Sequence, residues 1–269
     1  VPPVDDDRIQ VGMLGAGGRM GGRIITLLQE TPGVRLAAAL ERPGHPRLGE
    51  DAGTVAGIAP LGLPLVAGLP APGTHLDVLI DFSSPESSLA AARWCVEHVT
   101  ALVVGTTGFE PHQRRELEAA AHQIPLLIAS NFSVAVNLLF RLVGVAAKAI
   151  GAQADIEVVE RHHHFKKDAP SGTALTLAET AAQAIGTHQF VHGRHGVTGE
   201  RPKGEIGLHA LRTGDNPGEH TVVFGLMGEC LELSHRALNR DGFARGAIDV
   251  ARWIAGKPAG RYTMDDFLG

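Results

Sequence analysis

Positions 162–167 of the stretch ERHHHFKKDAPSGTA, residues 160–174, hold three histidines and two lysines. Histidine changes charge near neutrality, and lysine is a cation that can hand over a proton. Pro170-Ser171-Gly172-Thr173 then reads as the opening of a helix with Ser171 as its N-cap. The free N–H groups of such an opening attract an anion. Lysine, histidines and a helix start together describe a pocket for a substrate that carries a carboxylate. Two readings compete with it. A metal site needs ligands that converge on one ion, but successive residues of an extended segment point to alternate faces. His162 and His164 would face together with His163 opposite, no cysteine is near, and Lys166 and Lys167 oppose a cation, so no metal is expected. A solvated basic patch accounts for the histidines and lysines but not for the Ser-Gly-Thr sequel.

Stepping upstream, RIQVGMLGAGG is a short apolar strand, Ile9 to Leu14, that runs straight into glycines. A helical pattern follows (Met20, Ile24, Ile25, Leu27, Leu28), then a second strand, VRLAAALE. A strand, glycine loop, helix and strand within about 35 residues is the context in which glycines cradle a pyrophosphate. The spacing is irregular: Gly15, Gly17, Gly18 and Gly21 are present, so G-x-G-x-x-G fails at Met20. Glu41 ends the second strand, where an acid can accept hydrogen bonds from an adenosine ribose. Arg42 beside it could hold a 2′-phosphate, so NADH and NADPH both stay open. Further strands (HLDVLIDFS, TALVVGTTGF, IPLLIASNFS) alternate with helices, one of them capped by Ser84 with Pro85 at its first position. The class is therefore α/β, a Rossmann-type doubly wound parallel sheet. Ligands of such sheets sit at the carboxyl ends of the strands. That address collects Gly15, Glu41, Asp81, Gly105-Thr106-Thr107 and Ser130-Asn131. The Pro/Gly-rich run from Gly57 to Gly73 reads as connections around a short strand.

The second half reads differently. SVAVNLLFRLVGVAAKAIG is a long apolar helix, expected to bridge two domains, and DIEVVERHHHF is a strand. After the helix that opens near Ser171 come GEIGLHALRTG and HTVVFGLMGECLELSHRA, the latter a hairpin turning near Met227-Gly228-Glu229. With no helices between these strands, a second α+β domain with a mixed or antiparallel sheet is expected. The last helix has an amphipathic period (Phe243, Ile248, Ala251, Trp253, Ile254) suited to packing back on the first domain. The expected organisation is a dinucleotide-binding domain over 1–132, a substrate-binding and oligomerisation domain over 133–240, and a return to the first domain over 241–269.

Composition narrows the function classes. A net charge of −5 over 269 residues argues against broad nucleic-acid binding. No apolar run approaches the roughly 18 residues of a membrane span. VPPVDDDRIQ has no apolar leader run, and Cys95 and Cys230 are isolated, which suits a reducing cytoplasm.

The segment also resembles the signature of the 4-hydroxy-tetrahydrodipicolinate reductase (dihydrodipicolinate reductase) family of lysine biosynthesis. His162, Lys166, Asp168, Pro170, Ser171, Gly172, Thr173 and Ala174 fill the family's H-x-x-x-K-x-D-x-P-S-G-T-A, with Glu157 and Glu160 ahead of it. GAGGRMG, ALER, GTTGF, NFSVAVN and GEHTVVF stand where that family has them, so the resemblance covers nearly the whole chain. The irregular glycine loop is the family's usual form. The resemblance implies NADH or NADPH lying along Gly15, Ala16, Gly17, Gly18, Arg19 and Met20, then Glu41 and Arg42. It also implies contacts at Gly105, Thr106 and Thr107 and at Ala129, Ser130, Asn131 and Phe132. It implies a cyclic dicarboxylate substrate reduced at ring C4 with net loss of water. His162 would be the donor/acceptor and Lys166 the proton donor, while His163, Lys166, Gly172 and Thr173 would hold the carboxylates. Homotetramers built through the second domain's sheet are expected. Ser84 stands where some relatives carry Arg (DFTRPE), which leaves any cofactor contact of that Arg without a counterpart. Lys167 is not required by the pattern and reads as a solvated neighbour. Two other functions share parts of this sequence. Another two-domain NAD(P) oxidoreductase has no need of the H-x-x-x-K…P-S-G-T segment, and a cofactor-sensing protein without catalysis could lose His162 or Lys166. Both residues are intact.

Overall fold

The computed structural model describes residues 7–71 and 73–269. The acidic start over 1–6 and Pro72 of the Pro/Gly-rich run lie outside them. In chain order the elements are β1 (Ile9–Leu14), α1 (Arg19–Glu30), β2 (Val34–Glu41), α2 (Ala52–Ala56), β3 (Leu65–Ala67), β4 (Val78–Asp81), α3 (Pro85–His98), β5 (Ala101–Val104), α4 (Pro111–Ala119) and β6 (Pro125–Ile128). Then follow α5 (Val134–Ile150), β7 (Asp155–His162), α6 (Gly172–Ile185), β8 (Gln189–His192), β9 (Glu205–Arg212), β10 (Glu219–Leu226) and β11 (Glu229–Arg236). The chain ends with α7 (Asp241–Ile254), β12 (Gly260–Tyr262) and α8 (Met264–Leu268). It divides into two compact units, one of residues 1–133 with 241–269 and one of residues 134–240.

The first unit is a parallel sheet in the order β3-β2-β1-β4-β5-β6-β12. Every residue of β4 and β5 is buried, because helices cover both faces and leave no solvent side for polar residues. One core layer joins Val11, Met13 and Val103 to Ile24 and Leu28 of α1 and Ile248 and Ile254 of α7. The opposite layer joins Leu14, Leu79 and Leu102 to Trp94 and Leu117. Ser84 caps α3 by accepting the Ser87 N–H at 3.4 Å, with Pro85 opening the helix. The strand order reverses between β1 and β4, the place where such sheets open a ligand crevice.

The second unit is a mixed sheet in the order β11-β10-β7-β9-β8. β10 runs antiparallel to both β7 and β11, whereas β9 runs parallel to β7 and β8. As expected, no helix separates β9, β10 and β11, and the expected helix near Ser171, α6, is the crossover that carries the chain from β7 towards the parallel strands. A parallel neighbour requires such a crossover. β8, with Phe190 and Val191 half-buried between exposed Gln189 and His192, has no clear alternation and was not anticipated. α5 lies wholly in this unit and with α6 covers one face of the sheet: Leu139, Val143 and Leu177 pack on Ile156, Val158, Leu208 and Phe224. β7 alternates strictly, so Ile156, Val158, Glu160 and His162 share the covered face. The strand thus delivers a carboxylate and an imidazole to the core side of its own end. Among the described residues, no helix is long and apolar enough to cross a membrane.

Candidate active site

In the first unit the glycine loop is shaped by close approach. Gly15 has φ +84°, and a Cβ on it would lie 2.3 Å from the carbonyl oxygen of Phe82 in the loop after β4. A Cβ on Gly21 would lie 2.1 Å from the Gly15 carbonyl oxygen. Gly21 therefore performs the packing of helix against loop that the third glycine of a regular fingerprint performs, one position later, and Met20 is not part of that contact. Gly18, the N-cap of α1, offers no side chain to the helix start, whose amides are left for an anion. Glu41 is buried; its Oε2 accepts the Gly17 N–H at 3.0 Å and its Oε1 the Arg42 N–H at 2.9 Å. The side chains of Arg19 and Arg42 are exposed. Leu14, Glu41, Arg42, Gly68, Leu69 and Ser87 line a pocket at this corner.

The other expected cofactor positions fall at the carboxyl ends of β5 and β6. Thr106 is buried and turned inward: its hydroxyl donates to Asp81 at 3.1 Å and accepts the Ser83 N–H at 2.9 Å. Burial pushes the Asp81 carboxyl up, and the hydroxyls of Ser83, Ser88 and Thr106 offset only part of that. Gly105 packs under the Phe82 ring, and Thr107 is exposed. Asn131 accepts the Ser133 N–H at 2.8 Å, Ser130 is exposed and Ala129 half-buried. Ala16 and Phe132 are buried in the core, Phe132 against Phe82 at 5.7 Å between ring centroids, so these two can offer a ligand only backbone groups.

In the second unit the centre is Glu160, 1% exposed. Arg212 grips it with two hydrogen bonds of 2.9 Å, Nη1 to Oε2 and Nη2 to Oε1. Oε2 also meets Nδ1 of His162 at 2.6 Å, and Oε1 accepts the Ser171 N–H at 3.1 Å. Burial raises the Glu160 carboxyl, but the bonds from Arg212 and His162 outweigh it and hold the group below the usual carboxylate range. The His162 ring stands edge-on to His220 at 5.2 Å. A Cβ on Gly218 would lie 2.9 Å from His162 Nε2, so glycine there leaves the ring its room. Ser171 Oγ accepts the Ala174 N–H at 3.2 Å, capping α6, and lies within hydrogen-bond distance of His220 Nε2, at 3.0 Å. Burial, then the charges of His162, His235 and Lys166, push His220 down to about 4, so it is neutral.

The run of histidines is not one object. β7 ends at His162 and the chain turns, with the Lys166 N–H on the His163 carbonyl, so the alternation that would have paired His162 with His164 stops. His164 is exposed, bonds the Gly214 carbonyl through Nδ1 at 3.0 Å and packs on Phe165. His163 Nδ1 is buried with no hydrogen-bond partner among the described residues. Lys166 Nζ lies 2.8 and 2.9 Å from the carboxylate oxygens of Asp168, which is itself 64% exposed. Gly172 is exposed and Thr173 half-buried in the first turn of α6, and Lys167 faces solvent. Arg212 and His220 escaped the sequence reading. Arg212 is the register partner of His162 across the parallel pair β7 and β9, a neighbour that no local pattern announces.

Two family models divide the chain between them. "Dihydrodipicolinate reductase, N-terminus" matches residues 9–132, and "Dihydrodipicolinate reductase, C-terminus" matches residues 135–268. Among curated relatives, the 4-hydroxy-tetrahydrodipicolinate reductase of Anaeromyxobacter sp. (strain Fw109-5) is 50% identical over 264 residues, 97% of this chain and 98% of its own. That of Syntrophotalea carbinolica is 47% identical over 264 residues, 97% and 99% of the two chains. Among solved structures, a dipicolinate-bound dihydrodipicolinate reductase from Paenisporosarcina sp. TG-14 superposes with a TM-score of 0.78 at 23% identity, covering 95% of this chain and 97% of the other, and shares the fold.

Proposed function

The chain belongs to the dihydrodipicolinate reductase family, and from that premise we propose how its residues divide the work. It is an NAD(P)H-dependent reductase of 4-hydroxy-tetrahydrodipicolinate. When bound, NAD(P)H supplies the hydride. The glycine cradle fits such a cofactor: Gly15, Gly17 and Gly21 bring bare backbone to the start of α1, where N–H groups meet a pyrophosphate. The amides of Gly15 to Met20, together with Glu41, Arg42, Gly105 to Thr107 and Ala129 to Phe132, would hold it. Residues 1–132 with 241–269 take the dinucleotide and residues 133–240 the substrate.

The substrate's two carboxylates require cations and N–H donors. His163, Lys166, Gly172 and Thr173 supply them, with Lys166 released from the exposed Asp168. His162 and Lys166 move protons as ring C4 is reduced and water is lost, and a cation at that place stabilises the negative charge that develops on the ring. The observation that carries this reading is the segment from His162 to Thr173, where an imidazole held on the buried carboxylate of Glu160, a lysine and a helix start capped by Ser171 follow one another. We further propose a homotetramer joined through the second unit's sheet, whose edge strand β11 exposes Leu231, and a cytoplasmic location, in keeping with the free thiols Cys95 and Cys230.

The test is oxidation of NADH and of NADPH, titrated separately, in a coupled assay that generates the unstable substrate. Turnover with either nucleotide is the expected result, and none with both sinks the reading. The same assay on His162→Gln is expected to show a large loss of kcat. Wild-type kcat in that variant removes His162 from the chemistry.

A further inference from the structure

We infer that Glu160 is a positioning residue for His162: it dictates which ring nitrogen carries the proton and leaves Nε2 as the working atom. The inference rests on the reading of His162 as donor/acceptor. Four donors converge on the two oxygens of Glu160: two N–H groups of Arg212, the Ser171 N–H and Nδ1 of His162. Arg212 has no charge state but cationic, and its bidentate grip keeps the carboxylate ionised. An ionised carboxylate is acceptor only. Nδ1 of His162, 2.6 Å away, must therefore bear a hydrogen. In the neutral ring the lone pair is then on Nε2, and in the charged ring Nε2 is the nitrogen that can release its proton without breaking the bond to Glu160.

Among the described residues the surroundings give neither nitrogen a rival hydrogen-bond partner. His220 is turned to Ser171 through its Nε2, and its contact with His162 is ring edge to face. Lys166 is bound to Asp168. Gly218 stands over Nε2 without a side chain. Glu160 takes the Ser171 N–H on Oε1 and His162 Nδ1 on Oε2, so the proton-moving imidazole and the capped start of α6, with its proposed carboxylate-holding amides, share one buried anchor.

Glu160→Gln breaks this by arithmetic. An amide has one oxygen for the four donors. That oxygen is drawn to the side of Oε1, where the Ser171 N–H and one Arg212 N–H meet, and the NH2 then faces Nδ1. Nδ1 has to accept, and the proton moves to Nε2. The experiment uses the full chain labelled with ¹⁵N-histidine, with the His162 signals assigned by difference from His162→Gln. Wild type is expected to show His162 with the hydrogen on Nδ1, and Glu160→Gln with the hydrogen on Nε2. In the variant kcat falls by about 10²-fold, the lower range of what a positioned acid–base group contributes, while KM changes little. Glu160→Asp recovers part of kcat. A wild-type ring protonated on Nε2 overturns the inference even if the variant fails to fold, as does a folded Glu160→Gln with wild-type kcat. Loss of the His162 role is a separate result, read from His162→Gln alone.

Discussion

In the first unit the loop from Gly15 to Gly21 is shaped by side chains that are missing, whereas in the second the segment from Glu160 to Thr173 is shaped by side chains that hold one another. A methyl group at Gly15 or Gly21 would collide with a carbonyl oxygen. At Glu160, by contrast, Arg212, His162 and Ser171 all depend on a group that must be present and charged. Both regions are suited to anions, one by backbone amides and one by cations. They differ in how they fail. The loop tolerates no added volume, and the segment tolerates no lost partner, since an unpaired buried charge costs several kcal/mol.

This contrast breaks most sharply at Lys166. Lys166→Ala is expected to lower kcat by about 10²- to 10⁴-fold while NAD(P)H still binds, as measured by nucleotide titration beside the turnover assay. Lost cofactor affinity with surviving turnover would mean that the two regions do not divide the work as drawn. The next largest effect is expected at Gly21. Gly21→Ala should destabilise the first unit by about 1–3 kcal/mol and weaken NAD(P)H binding by about tenfold or more. Trp94 and Trp253, the chain's two tryptophans, both lie in that unit, so denaturant unfolding followed by their fluorescence reads it directly. An unchanged midpoint would show that the close approach to Gly15 is not limiting.

The smallest effect expected is a pH dependence confined to the second unit. His220 titrates at about 4 in the fold, below the ordinary value near 6.5. The unfolded chain therefore takes up the proton first as pH falls. The stability gained from a neutral His220 is full above about pH 6.5 and is lost progressively between there and about pH 4. His220→Gln removes that slope. The difference between wild type and variant is expected to change Tm by roughly 2–4 °C between about pH 6.5 and about pH 5, read by calorimetry. Parallel curves would mean that burial does not hold His220 neutral in the fold.

Much of the first unit was legible because its signals are local. Alternating strands and helices, the glycine loop running out of β1 and the acid at the end of β2 are all patterns within a few tens of residues. Even the irregular glycine spacing was visible, although only the 2.1 Å approach of Gly21 to Gly15 explains it. The second unit was less legible. The long parallel pairing of β7 with β9 spans the crossover through α6, and its register decides that Arg212 faces His162. His220 reaches Ser171 from β10, 49 residues away. Neither has a periodic signature.

By itself the sequence determined the kinds of chemistry present: a backbone site for a dinucleotide, an imidazole and a lysine four residues apart, and a serine to open a helix. Residue type and short-range period are sufficient for these, since each follows from one side chain or one turn of backbone. Tertiary structure alone decided which of three adjacent histidines is anchored. That depends on where β7 ends, on the strand register that carries Arg212 to Glu160, and on a buried carboxylate whose charge survives only because those partners arrive from distant parts of the chain.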